Sequence, residues 1–160
     1  MSTNSDKLHA LFAQWKDEHR QLDVHVATLC QWLHGQGHIV TPPFLRGAQK
    51  LGELRDQLEA HFVKENELGR LLANARGSLT TEIESVCHKH DREHTVLLER
   101  LGRLIHSLGT AESQFDSWDA ATREFELFVD TLEQHEEQEA EAIGWLSVSA
   151  ASNDEHDDDG

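Results

Sequence analysis

The chain has 160 residues, a formal net charge of -16 and 38% hydrophobic residues, which suits one domain with a core to bury and a strongly acidic surface. Charge of that sign repels phosphate backbones and anionic lipid headgroups, so neither nucleic acid nor a membrane surface is an expected partner. Cys30 and Cys87 form no Cys-x-x-Cys pair, which argues against a disulfide framework or a thiolate metal site, and no apolar run approaches a membrane span or opens like a signal peptide.

Apolar periodicity predicts four helices of about 30 residues, each roughly 45 Å long at about 1.5 Å per residue. The first runs from about Asp6 to Leu33 with a seam of Leu8, Phe12, Trp15, His19, Leu22, Val26, Leu29 and Leu33, and ends at Gly35 and Gly37. The second starts at Pro42-Pro43, since proline suits a first helical turn. Its seam is Leu51, Leu54, Leu58, His61, Glu65, Leu68 and Leu72, and it stops near Gly77. Ser78 and Thr81 are candidate caps for the third helix. That seam reads Ile83, Cys87, His90, His94, Leu97, Leu101, Leu104 and Leu108, closed by Gly109. The fourth runs Trp118, Ala121, Phe125, Phe128, Leu132, His135, Glu139, Ala142 and Leu146. Alternating spacings of three and four, with no competing strand pattern, predict an all-α, antiparallel up-down-up-down four-helix bundle over residues 1–147. The acidic stretch that follows, residues 148–160, has no apolar residue after Ala151 and is expected to be disordered.

Seven seam positions hold residues that can bind a metal: His19, His61, Glu65, His90, His94, His135 and Glu139. Buried without a partner, each would cost several kcal/mol. Their numbering shows that they share one level of the bundle. His19 and the His61/Glu65 pair are equidistant from residue 41, just before the proline pair. The His61/Glu65 and His90/His94 pairs are equidistant from Gly77-Ser78, and the His90/His94 and His135/Glu139 pairs from the stretch beside Ser113. Every midpoint lies in a predicted loop. Within each pair, positions i and i+4 face the same way one turn apart, as two ligands for neighbouring ions must. A single seam histidine is ordinarily a hydrogen-bonded core residue. Seven at one level, two of them carboxylates that need a cation to stay ionised, point instead to a dinuclear metal centre.

The segments Trp15-Lys-Asp-Glu-His19, His61-Phe-Val-Lys-Glu65, His90-Asp-Arg-Glu-His94 followed by Leu97-Leu98, and His135 with Glu139 resemble the hemerythrin family, including its bacterial hemerythrin-like (HHE cation-binding) members. The resemblance spans residues of roughly 8 to 146. It implies two non-heme irons in an oxo- or hydroxo-bridged di-iron centre. His90, His94 and His135 would hold one iron and His19 and His61 the other, with Glu65 and Glu139 bridging. One position departs from the animal oxygen carriers, whose last bridge is an aspartate five residues after its histidine. Here that position is Ala140, and Glu139 instead resembles the His-x-x-x-Glu form of the iron-repair and iron-sensing branches.

Five imidazoles and two carboxylates leave less negative charge on the metals than the carboxylate-rich shells of ferritin-like oxidases, which favours reversible O2 uptake over O–O cleavage. The absence of tyrosine excludes a tyrosyl radical. Five-coordination at the His19/His61 iron would leave a position for O2, NO or a small anion, with Trp15 and Phe62 as candidate walls. His25, His88 and His106 are expected in supporting or surface roles, and His9, His34 and His38 in solvent. The expected protein is a cytoplasmic O2-binding module for storage, transport or sensing, a monomer or weak homo-oligomer, and a binding protein rather than an enzyme. The alternative is a di-iron stress protein that acts on NO or peroxide, or donates iron for repair. The lack of a cysteine-bearing accessory domain weighs against repair. A metal-free helical interaction module would need all seven residues satisfied without metal.

Overall fold

The computed structural model describes residues 4–75, 81–110, 115 and 117–154, and side chains within these from 5 to 74, 81 to 110, at 115 and from 117 to 144. Four helices make up the fold: α1 (Asn4–Gly35), α2 (Phe44–Ala75), α3 (Thr81–Gly109) and α4 (Trp118–Asp154). There is no strand among the described residues.

The helix ends follow from local chemistry. Pro43 lies just outside α2, and its carbonyl accepts the first helical bond, from Gly47 N at 2.9 Å. The prolines thus precede the helix instead of occupying its first turn. Ser117 caps α4, its Oγ accepting from Ala120 N at 3.1 Å and so satisfying an otherwise orphaned amide. The helix also runs past the expected domain boundary at residue 147, to Asp154. The reason is local: after Gly144 no glycine or proline interrupts the sequence until Gly160, and the Ala-containing stretch in between can propagate a helix. The rest of the expected disordered tail, residues 155–160, lies outside the described residues, as do Gly77 and Ser78.

Cross-helix pairs show that neighbours are antiparallel. On α1 and α2, Trp15 meets Glu65 and His25 meets Gln57. On α3 and α4, His135 meets Glu93 while Thr131 meets Arg100. On α4 and α1, Glu136 meets His19 and Trp118 meets Leu33. The last contact fixes one end of the bundle: the Trp118 indole N–H donates to the Leu33 carbonyl at 2.7 Å, and Gly47 lies so close beneath the ring that a Cβ there would sit 3.3 Å from it.

The apolar core is split in two. The larger part runs from Leu22, Leu58, Leu97 and Leu132 to the Trp118 end. The smaller, at the opposite end, is built from Trp15, Leu68, Leu72, Ala73, Ile83 and Ile143. Between them lies a buried polar layer containing His61, Glu65, His94, His135, Glu136 and Glu139. Stability should therefore come mainly from the larger part. Leu101, which is fully buried there, should cost about 2–5 kcal/mol in urea unfolding when changed to alanine. Val96→Ala, at a residue more than half exposed, should stay within about 0.5 kcal/mol. Equal effects would show that the core does not lie along this seam.

Candidate metal centre

Each helix brings its polar residues to the layer on its apolar stripe. On α2 and α4 the pairs His61/Glu65 and His135/Glu139 stand one turn apart, with the imidazole Nε2 2.7 Å and 2.8 Å from the partner carboxylate. His94 from α3 sits between them, its Nε2 3.0 Å from Glu65 Oε2 and 3.3 Å from Glu139 Oε2. One ligand atom from each of Glu65, His94, His135 and Glu139 falls within 4.8 Å of all the others, and all four residues are buried. These four form the tight heart of the site.

The remaining three expected ligands surround it. His61 joins through Glu65 and is itself buried. His90 lies edge-on to His135 with ring centroids 5.6 Å apart. His19 lies 5.8 Å from His61, ring to ring, and is partly exposed. His90 and His19 thus occupy opposite flanks of the cluster instead of its centre.

Neighbouring groups fix which nitrogens point inward. His94 Nδ1 faces Asn66 Oδ1 at 3.0 Å, and His135 Nδ1 faces Glu93 Oε2 at 2.6 Å. When these nitrogens carry the proton and donate, each Nε2 keeps its lone pair and faces a carboxylate oxygen, an arrangement in which two acceptors share a gap that a cation fits. Glu65 is held from outside the layer by the Trp15 indole N–H, which donates to Oε1 at 3.0 Å. Trp15 also packs against His19, with ring centroids 5.4 Å apart. Phe62 reaches both flanks unequally: its ring lies flat on His94 at 4.0 Å and edge-on to His135 at 5.9 Å, and stands 6.4 Å from His61.

The residues fit a cation. His19 Nε2, both ring nitrogens of His61, Glu65 Oε2, His90 Nδ1, His135 Nε2 and Glu136 Oε1 are buried atoms without a hydrogen bond. Buried polar atoms in native proteins are almost always paired, and this many in one layer of mixed imidazole and carboxylate donors calls for a shared partner. Without one, protons take that place. Burial lowers the His94 imidazole, but the Glu139 carboxylate that accepts from it and the facing charge of Glu65 outweigh burial and push His94 up to about 9. His61 and His135 are raised in the same contest between burial and their neighbouring glutamates. Burial also opposes ionisation of Glu65, yet the close-lying imidazoles of His61 and His94 hold it well below the usual carboxylate range. His90 is lowered, chiefly by burial, and therefore favours the neutral form that a metal ligand needs.

The sequence reading missed Glu136. Burial and the charge of Asp23 push its carboxyl up to about 8, and its Oε2 lies 3.4 Å from His19 Nε2. It was hidden in the acidic run Glu133-Gln-His-Glu-Glu-Gln-Glu139, one position off the seam. A second stripe could have revealed it, because Thr122, Val129, Glu136 and Ile143 recur every seven residues and all are buried. The other histidines take peripheral places: His9, His34, His38, His88 and His106 are exposed, and His25 is partly buried against Gln57. Cys30 and Cys87 are free and partly buried, with burial raising both thiols. No helix among the described residues is long and apolar enough to cross a membrane.

Comparison with known proteins agrees with this chemistry. The family model described as the hemerythrin HHE cation binding domain matches residues 10–144. No curated protein and no solved structure matches the chain.

Proposed function

Because the chain belongs to the hemerythrin HHE cation binding domain family, we propose that it is a non-heme di-iron protein that binds O2 reversibly, for storage, transport or sensing. The observation that supports this reading is the buried layer of converging imidazoles and carboxylates, seven of whose atoms have no hydrogen bond. His90, His94 and His135 would hold one ion, and His19 and His61 the other. Glu65 and Glu139, at the centre, would span both. Two ferrous ions bound there would supply the electrons and Lewis acidity that O2 uptake requires.

The side chains favour reversible binding over bond cleavage. Five imidazoles are neutral donors, so two carboxylates leave the site less anionic than a carboxylate-rich oxidase shell. Asn66 and Glu93 face the Nδ1 atoms of His94 and His135 and would hold both rings in the ligating tautomer once a metal takes the place of the Nε2 protons, and Trp15 fixes the orientation of Glu65. Phe62 keeps water from one flank by lying across His94. The chain contains no tyrosine to supply a radical.

One observation favours the alternative, a stress protein acting on NO or peroxide or donating iron. A cavity of about 350 Å³ opens beside His19, lined in part by Asp23, Glu133 and Glu136. Solvent and protons admitted there would promote irreversible oxidation. The test is anaerobic reconstitution with ferrous iron, followed by metal analysis and optical spectra through cycles of O2 and argon. Two irons per chain and a visible absorption that appears in O2 and fades under argon are expected. Rapid irreversible oxidation with fast turnover of NO or peroxide would instead establish the alternative. A chain that takes up no iron on reconstitution, or holds only a single zinc, would overturn both.

A further inference from the structure

We propose that Glu136 is a further protein ligand, a terminal carboxylate on the His19 side of the metal centre. The inference rests on the two-metal reading above and extends its set of ligands from seven residues to eight.

Glu136 is 6% exposed, and its Oε1 is buried without a hydrogen bond. Its Oε2 and the His19 Nε2 face each other at 3.4 Å, and that nitrogen has no hydrogen bond either. On the other side of the ring, His19 Nδ1 lies 3.7 Å from Asp23 Oδ2. That carboxylate favours a proton on the Nδ1 side electrostatically, which leaves the Nε2 lone pair towards Glu136. The two residues border the cavity between α1 and α4, whose other walls include Val26, Val129 and Leu132. Asp23, His19 and Glu136 can converge three ligand atoms within 4.8 Å of one another.

Charge and space support the same assignment. Two divalent ions carry four positive charges, and the bridging pair Glu65 and Glu139 offsets two of them. No lysine or arginine pairs with Glu136 among the described ion pairs, and once His19 is a neutral ligand a metal ion is the positive charge at hand for a carboxylate in that position. Ala140, one turn further along α4, also borders the cavity and is too short to compete for the ion. The His19 side would otherwise have fewer protein donors than its counterpart, and Glu136 makes up the difference. A carboxylate there would also have to move aside, or be displaced, before a small anion could bind.

The test uses Co2+, which reports coordination through its d–d absorption without redox chemistry. Wild type, Glu136→Gln and Glu141→Gln, the last an exposed residue of the same helix outside the cavity lining, are titrated against a competing chelator, and each is then titrated with azide. Wild type and Glu141→Gln should take two ions per chain with the same affinities and spectra. Glu136→Gln should keep the first ion, bind the second on the order of tenfold or more weakly, and show an altered d–d spectrum and tighter azide binding. Glu136→His, which offers a nitrogen donor in the same place, should restore the second ion. That rescue separates ligation from a merely structural role. Two ions bound with unchanged affinity and spectrum in Glu136→Gln would overturn the inference and leave the two-metal reading intact. Fewer than two ions in wild type would overturn both.

Discussion

Glu65→Ala and Glu139→Ala are expected to cut bound iron from two per chain to one or none, while His38→Ala and His88→Ala retain both. Glu65 explains the size of the effect. It is 2% exposed and lies 2.7 Å from His61 Nε2, 3.0 Å from His94 Nε2 and 3.0 Å from the Trp15 indole nitrogen. No side chain could move into its place without vacating part of the core. Deleting the carboxylate leaves Trp15 without an acceptor and the imidazoles without the group that draws two cations together. Breaking a buried charged pair by removing one partner costs about 3–5 kcal/mol, which is a large fraction of the stability of a domain this size. Glu139, on the opposite helix, contacts both His94 and His135, so its removal should act on the same ions. Metal analysis after reconstitution reads the first effect, and thermal unfolding of metal-free and loaded protein reads the second. His38 and His88 are exposed, and substituting either should leave both measurements unchanged. If the glutamate variants retain two irons, or if the exposed histidines lose metal equally, the bridging assignment fails.

How far the sequence revealed this site depends on which physical signal each residue carries. The seams of α2 and α3 were legible because leucine at alternating spacings of three and four allows one buried face, and Leu51, Leu54, Leu58, Leu97 and Leu101 all lie on it. The level shared by the seven polar residues was legible because antiparallel helices turn sequence distance from a loop into height along the bundle. Lateral position was not. His19 and His90 share the layer but stand on its flanks, since the rotation of a helix about its axis depends on packing against both neighbours, which seam spacing does not resolve. The same limit left open which ligands Phe62 faces most closely: its ring lies nearest His94 and His135, with His61 further off. Glu136 escaped notice for a different reason. In a run with four glutamates within seven residues, composition implies a solvated face, and only its heptad relation to Val129 and Ile143 shows that one of them points inward.

The metal-free chain should lose stability as pH rises from about 6.5 to 9, and loading with a redox-inert divalent ion such as Zn2+ should abolish or reverse that slope. The sign follows from which state binds more protons. His94 is raised from an ordinary histidine value to about 9, so its contribution is complete below the unfolded value near 6.5 and is lost as pH climbs through 9. His61 and His135 are also raised and act in the same direction. Glu136, pushed up to about 8, holds its proton in the fold well above the point where the unfolded carboxyl releases it. Its contribution therefore also falls through this window. His90 is lowered, so its opposing contribution grows only as pH rises towards the unfolded histidine value and is level above it. Glu65 lies well below its ordinary value and affects only acid pH. Above about 6.5 the three raised imidazoles and the raised carboxyl act unopposed, and the net slope is negative. A bound ion replaces those protons, and deprotonated ligands bind it more tightly, so metal affinity rises with pH as the proton contribution disappears. At a thousandfold excess over its Kd, one ion adds about 4 kcal/mol, or roughly 8–16 °C in Tm for a chain of this size. Melting curves with and without Zn2+ across that range test both halves: a metal-free chain that becomes more stable towards pH 9, or a Tm indifferent to the ion, would show that protons and metal do not compete for this layer.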